Sequence, residues 1–146
     1  MTRLPSCTPR FVLIALLSYD GQAVLLCRPG GAEAWRPVHI TLPEGHTVAA
    51  SVRRWVRCAY IGEVRWGSVT GRLRVPRHGV GPLEAEVVIV KATAPVGAGQ
   101  FGASACWWPL ARLPESGVAL FPMELGLLLQ GYVEGWIPDG EITLDA

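Results

Sequence analysis

The chain has 146 residues, of which 50% are hydrophobic and 17% are charged, and its formal net charge is +1. This length allows one hydrophobic core but not two domains, and the hydrophobic content excludes an intrinsically disordered chain. We therefore expect one globular domain over residues 1–146. The small net charge gives no general argument for a nucleic acid partner or for an acidic substrate.

The charges are unevenly distributed along the chain. One stretch is rich in arginine and contains a single acidic residue, Glu63. Its basic residues are Arg53, Arg54, Arg57, Arg65, Arg72, Arg74 and Arg77. After Arg112 every charged residue is acidic. This asymmetry predicts either a solvated basic face or a surface that faces phosphate or a protein partner.

The cysteines and the apolar segments bear on the cellular compartment. Cys7, Cys27, Cys58 and Cys106 are far apart and form no C-x-x-C motif, so we expect free thiols and a cytoplasmic location. The apolar run at residues 11–17 ends in a polar turn without a cleavage site, and we interpret it as a buried strand. No apolar stretch approaches the ~18 residues that a membrane span requires, so we expect no membrane partner.

The first predicted elements form a hairpin. Residues 11–17 and 23–26 are rich in β-forming side chains, and a turn that contains Asp20-Gly21 separates them. Residues 35–45 follow a glycine-rich loop and are interrupted by prolines, so they predict no regular element.

A helix is predicted next. Thr47 is a favourable N-cap residue, and apolar side chains recur after it with helical spacing. These side chains are Val48, Val52, Trp55, Val56 and Ala59. We expect this helix to end near Gly62, a residue type that favours helix C-termini.

The second half of the chain predicts more strands and one more helix. Strands are expected at residues 67–75, 84–93, 103–108 and 141–144, and a helix at residues 123–136. Strands interleaved with helices make the fold α+β or mixed α/β.

This order of elements resembles the Nudix fold, whose signature is G-x5-E-x7-R-E-U-x-E-E-x-G-U, with U bulky and apolar. Aligned without gaps from Trp35, the chain places Arg54 on the arginine of the signature and Val56 on the bulky apolar position. A later segment, Trp107-Trp108-Pro109-Leu110 with Leu113-Pro114, resembles the stretch that commonly precedes the last Nudix helix. The resemblance implies an α+β domain in which a mixed sheet is sandwiched between helices.

The departures from the signature concern the residues that bind metal in the family. Ile40 and Ile61 stand at its glycine positions, and the glutamate positions hold His46, Trp55, Cys58 and Ala59. Divalent cations that activate water need hard oxygen ligands, which these residues do not supply. The resemblance therefore implies a degenerate catalytic box without a bound metal or other cofactor.

The candidate ligand-binding residues follow from the same alignment. They are His46, Arg54, Trp55, Cys58 and Ala59, together with Glu84 and Glu86, which stand where some Nudix enzymes carry an extra acidic residue. No catalytic residue is identified. A soft metal site at His39, His46 and Cys58 matches no compact zinc spacing. A Cys58 nucleophile with His46 as its base lacks any residue in the sequence that orients the pair.

Three functions remain open at this point. In the first, the domain binds a small organic or nucleotide-like ligand, or a protein partner, without hydrolysing a diphosphate. In the second, it is an enzyme that uses displaced acids or an apolar cleft without metal, the displaced acids being Glu44, Glu63, Glu84 and Glu86. In the third, the arginine-rich stretch binds RNA, although we do not expect a nucleic acid partner. A homodimer is compatible with each.

The helical spacing also predicts which side chains share a face. Trp55, Cys58 and Ala59 form one apolar stripe, which we expect to line either a filled core or an apolar pocket. Arg53 and Arg57 lie four residues apart on another face and are expected to point away from that stripe. A ligand at the stripe should then be largely apolar, with Arg54 as a cationic contact at its edge.

Overall fold

The computed structural model describes residues 10–30, 34–76, 79, 81–113 and 117–145. Cys7, Arg77 and Pro114 lie outside these ranges. The described residues form strands β1 (Arg10–Leu17), β2 (Ala23–Cys27), β3 (Val38–Thr41), β4 (Val64–Val75), β5 (Leu83–Ala92), β6 (Ala105–Pro109) and β7 (Gly140–Thr143). The helices are α1 (Val48–Cys58) and α2 (Leu125–Glu134), and short 3-10 turns lie at Ala98–Phe101 and Leu110–Arg112.

Strand β1 is the centre of a mixed seven-stranded sheet. The order across the sheet is β6-β2-β1-β5-β4-β7, and β3 pairs with β1 alongside β2. Strand β1 runs parallel to β5 and antiparallel to β2 and β3. Its side chains from Val12 to Leu17 are at most 1% exposed, because other elements cover both faces of the sheet.

The two faces of the sheet pack against different helices. Alternate residues of a strand point to opposite faces, so Leu13 and Leu17 belong to one core and Ile14 to the other. The buried leucines of α2, namely Leu125, Leu128 and Leu129, fill the first core. Val52 and Val56 of α1 contribute to the second. The prediction of an α+β fold with a mixed sheet between helices is confirmed.

Helix α1 begins where the sequence predicted. The Thr47 side chain accepts a hydrogen bond from the Ala50 backbone amide at 3.1 Å, which satisfies one of the free donors at the helix N-terminus. The helix ends at Cys58, earlier than the predicted Gly62. The backbone already enters the left-handed region at Tyr60, with φ 55°, so the helix cannot continue to Gly62.

Three other elements differ from the predicted ones. Strand β3 was not predicted, because its partner is the distant first half of β1 rather than a neighbouring hairpin strand. Strand β4 begins at Val64, before the predicted residue 67, and α2 is shorter than the predicted 123–136. Neither helix of the described residues combines the length and apolar character that crossing a membrane would need.

Candidate functional site

A cleft of about 490 Å³ lies beside the C-terminal half of α1, and we call it the α1 cleft. Trp55 and Cys58 of the helix line it together with the C-cap residue Ala59. On the other side it is lined by His39 of strand β3 and by Arg36, which precedes that strand. Pockets of about 300–1,000 Å³ with a mainly apolar lining are typical small-molecule sites. The predicted apolar stripe therefore borders an open cleft as well as the core on the α1 side of the sheet.

Trp55 forms both a wall of the cleft and an edge of the core. Its ring is half-buried and packs against the core on the α1 side of the sheet. It also stacks on Phe101, with ring centroids 5.9 Å apart and an interplanar angle of 24°. Aromatic pairs at this distance attract each other beyond the area they bury, so the two rings support one another.

Two hydrogen bonds hold the segment that carries Phe101. The Gln100 side-chain Nε2 donates to the carbonyl of Ala59 at 3.1 Å, which binds this segment to the C-terminal end of α1. The indole Nε1 of Trp107 donates to the carbonyl of Val96 at 2.9 Å. The aromatic wall is therefore positioned by its own chain before any ligand arrives.

Arg36 is a cleft residue that the sequence did not single out. Its backbone exchanges two hydrogen bonds with Cys27, at 2.7 and 2.9 Å, and these fix the position of its Cα. The side chain is half-buried, and its Nε is buried without a hydrogen-bond partner among the described residues. Arg36 lies outside the arginine-rich stretch. Its position directly after Trp35, where the alignment with the Nudix signature starts, is a signal that could have drawn attention to it.

A second hollow adjoins the cleft on the other side of Trp55 and Cys58, and we call it the outer hollow. It brings the predicted residues His46 and Arg54 together with Trp55 and Cys58. Arg57 also lines this hollow but not the α1 cleft, so the predicted separation of this arginine from the stripe holds for the cleft only. The hollow lies on the side of the helix that carries Arg54 and Arg57, and of the described residues it shares only Trp55 and Cys58 with the cleft.

Arg53 behaves as the sequence predicted. Its guanidinium lies 6.0 Å from the centroid of the Trp66 ring, and it lines neither the cleft nor the outer hollow. This cation–π contact directs the Arg53 side chain toward strand β4.

Glu84 and Glu86 lie away from the α1 cleft. They line a smaller hollow of about 220 Å³ where β1 and β5 begin, together with Arg10 and Arg74. Glu86 accepts a hydrogen bond from Arg10 at 3.1 Å, and Glu84 lies directly opposite Arg74 on the neighbouring strand. The structure therefore places both glutamates among cross-strand charge pairs, apart from the other candidate residues.

Arg36 carries a positive charge in the α1 cleft, and this charge acts on the ionisable side chains of His39 and Cys27. Burial, and after it the charge of Arg36, lowers the pKa of His39. Burial raises the pKa of the Cys27 thiol, and the charge of Arg36 offsets only part of that rise. Both shifts favour the neutral side chains around the Arg36 guanidinium.

The residues beside α1 do not fit the divalent metal that the Nudix fold implies. Within the described ranges, no carboxylate lines the cleft or the outer hollow, and α1 itself contains no acidic residue. In the same part of the chain, no three histidine, cysteine or acidic side chains are grouped so that they could hold a metal ion. Magnesium and calcium require oxygen ligands, which this surface does not provide.

No protein-family model and no curated protein sequence matches the chain. Solved structures do match it. A UDP-X diphosphatase superimposes with a TM-score of 0.66 at 12% identity, covering 96% of this chain and 70% of that one. The C. elegans Ap4A hydrolase gives 0.64 at 15% identity, covering 90% and 100%. A Nudix hydrolase from M. smegmatis gives 0.58 at 18% identity, covering 89% and 87%. The chain therefore has the Nudix fold.

Proposed function

We propose that this domain binds a small organic or nucleotide-like ligand in the α1 cleft and does not hydrolyse diphosphates with a bound metal. One observation carries the proposal. Helix α1 and its C-cap present Trp55, Cys58 and Ala59 to the cleft, at the positions where the resemblance to the Nudix signature expects glutamates.

The chemistry of these side chains supports a binding function. Metal-assisted hydrolysis needs oxygen ligands that hold the cation and orient the attacking water. An indole, a thiol and a methyl group instead offer apolar contact area to a ligand. The cleft is wide enough for such a ligand, at about 490 Å³.

The displaced acids give the enzymatic alternative no comparable support. None of Glu44, Glu63, Glu84 and Glu86 lines the cleft or the outer hollow. A catalytic carboxylate must reach the reacting atoms directly or through one water. The first function is therefore favoured over a hydrolase that uses these residues.

The RNA-binding alternative would need one continuous basic face. The arginines of the stretch are instead divided between α1 and β4, and on β4 they meet acidic residues. Arg72, for example, pairs with Glu141 at 3.2 Å. This division favours a cleft ligand over a nucleic acid partner.

The first experiment measures hydrolysis by the wild-type chain. Nucleoside triphosphates and ADP-ribose are incubated with the protein and with magnesium or manganese, and the released phosphate is quantified. We expect no appreciable turnover, because no carboxylate that could hold magnesium or manganese lines the cleft among the described residues. A turnover above about 1 s⁻¹, which lies within the ordinary range of enzymes, would refute the proposal.

The second experiment looks for the ligand. Small molecules retained by the purified protein are released by denaturation and identified by mass spectrometry, for wild type, Trp55→Ala and Trp66→Ala. Trp66 is 41% exposed and lines neither the cleft nor the outer hollow, so its variant is the matched control. The proposal predicts that Trp55→Ala loses the retained compound while Trp66→Ala keeps it.

A further inference from the structure

The α1 cleft and the outer hollow are together lined by three arginines of the described part of the chain. Arg36 lines the first, while Arg54 and Arg57 line the second. Among the described residues no carboxylate lines either one. The surface that would hold a cation in a metal-dependent relative is thus cationic in this chain.

Arg36 is the cation that lies deepest in this arrangement. It takes part in neither the Arg10–Glu86 nor the Arg72–Glu141 ion pair, and its buried Nε has no acceptor among the described residues. A buried polar group without a partner costs free energy, and a partly buried charge without a counterion adds to that cost. A ligand that brings an anionic oxygen to the Arg36 guanidinium would supply the missing counterion.

The groups around Arg36 cannot serve as its counterion. Cys27 and His39 line the cleft beside it, and their neutral forms are favoured by burial. The opposite wall is aromatic, formed by Trp55 and its stacked partner Phe101. The cleft therefore combines one unsatisfied guanidinium with an apolar aromatic wall.

We propose that the α1 cleft binds an aromatic acid, with its carboxylate or phosphate on Arg36 and its ring against Trp55 and Phe101, without a divalent cation. This inference rests on the proposed function and narrows its ligand class. The guanidinium fork matches the two oxygens of a carboxylate or phosphate, and a ring contact with indole is favourable. In a metal-dependent relative a bound cation would supply the positive charge that Arg36 supplies in this chain.

The test uses pairs of probes that share a naphthalene ring, one member of each pair being an acid and the other neutral. Isothermal titration with EDTA present compares 2-naphthoate with 2-naphthamide, and 2-naphthyl phosphate with 2-naphthol. We expect at least one acid to bind about tenfold more tightly than its neutral counterpart, the scale of one charged hydrogen bond. The two pairs also decide whether the acid is a carboxylate or a phosphate.

Variants then assign the effect to Arg36. Arg36→Gln should weaken binding of the preferred acid about tenfold and leave the neutral probe within about twofold. Arg36→Lys should recover part of the loss, because the charge returns without the fork geometry. Arg28→Gln is the matched control, since Arg28 is exposed, lies 6.0 Å from the Trp35 ring and does not line the cleft. Thermal melting checks that each variant is folded.

The outcomes separate this inference from the proposed function. Equal binding of acid and neutral probes, or an Arg36→Gln variant that binds the acid as wild type does, overturns the aromatic acid while a cleft ligand stands. The aromatic acid is also overturned if none of the four probes binds. Metal-dependent diphosphate turnover by wild type, measured separately, overturns the proposed function itself.

Discussion

The two faces of the sheet are closed to different degrees. Under α2, Leu125, Leu128 and Leu129 are at most 1% exposed, and the face is filled by leucine. Under α1, Val52 and Val56 are buried, but the next large apolar side chain, Trp55, is only half-buried and borders a cleft. The leucines of α2 thus contribute to stability from a fully buried position, while the C-terminal half of α1 joins a core to an open cleft.

The largest effect is expected from a change on the closed face. Leu128→Ala should lower the free energy of unfolding by about 2–5 kcal/mol, because it removes a fully buried side chain and leaves a cavity. Urea denaturation measures the change. The matched control is the neighbouring Leu127, which is 56% exposed and whose alanine variant should stay within about 0.5 kcal/mol of wild type. Equal losses at the two leucines would contradict the assigned helix face.

On the α1 face, replacing Trp55 by alanine should lower the free energy of unfolding by less than replacing a buried leucine does. Trp55→Ala should lower the free energy of unfolding by about 1–2 kcal/mol, with the loss of the Phe101 stack as a main part. A double-mutant cycle with Phe101→Ala should give a coupling of about 0.5–1.5 kcal/mol. A loss of about 3–5 kcal/mol for Trp55→Ala alone would instead show that this face is filled like the other.

A substitution at the N-cap of α1 should have a smaller effect on the free energy of unfolding. Thr47→Ala removes the acceptor for the Ala50 amide and should cost about 1 kcal/mol of unfolding free energy. Thr47→Ser keeps the hydroxyl and should recover most of that loss. If alanine and serine variants unfold at the same denaturant concentration, the cap does not stabilise the helix.

Thiol labelling tests how exposed two cysteines of the α1 cleft are, and it needs no substitution that changes stability. Cys58 is exposed, whereas Cys27 is half-buried and burial raises its pKa, so less of it is the reactive thiolate at neutral pH. Iodoacetamide followed by mass spectrometry should therefore modify Cys58 faster than Cys27. A bound cleft ligand should protect Cys58 and leave the exposed Cys106, which does not line the cleft, unprotected. Equal rates at Cys27 and Cys58 would contradict the described burial.

The elements that the sequence predicted well depend on local signals. Helix α1 follows from Thr47 and from apolar side chains spaced by one turn, and these contacts lie within the helix or directly beneath it. Strands β1 and β2 follow from apolar runs on either side of a turn that contains Asp20-Gly21. Such signals need no knowledge of distant residues.

The N-terminal boundary of strand β4 was predicted wrongly because of Gly67. Gly67 was interpreted as the start of a strand, yet it lies inside one that begins at Val64. A Cβ atom at Gly67 would lie 3.0 Å from the Ile89 carbonyl oxygen and 3.2 Å from the Tyr132 ring. The glycine is there because the strand, its neighbour and helix α2 approach closely, which the local sequence does not reveal.

At the candidate site, too, the sequence predicted which residues of one helix lie together but not which distant residue joins them. Trp55, Cys58 and Ala59 were expected on one face from helical spacing alone, and they share the cleft. Arg36 was missed because only tertiary structure brings it opposite α1, through the bridge between Cys27 and Arg36. Its absence from the sequence-based set led to the expectation of a largely apolar ligand.

Manganese binding tests most directly whether this cleft works without a metal. Electron paramagnetic resonance measures free Mn²⁺ in titrations of wild type and of one combined variant. That variant carries His46→Glu, Trp55→Glu, Cys58→Glu and Ala59→Glu. We predict that wild type leaves the free Mn²⁺ signal unchanged and that the folded variant lowers it, because glutamate supplies the oxygen ligands that α1 lacks. Stoichiometric Mn²⁺ binding by the wild-type chain would contradict a cleft that works without metal.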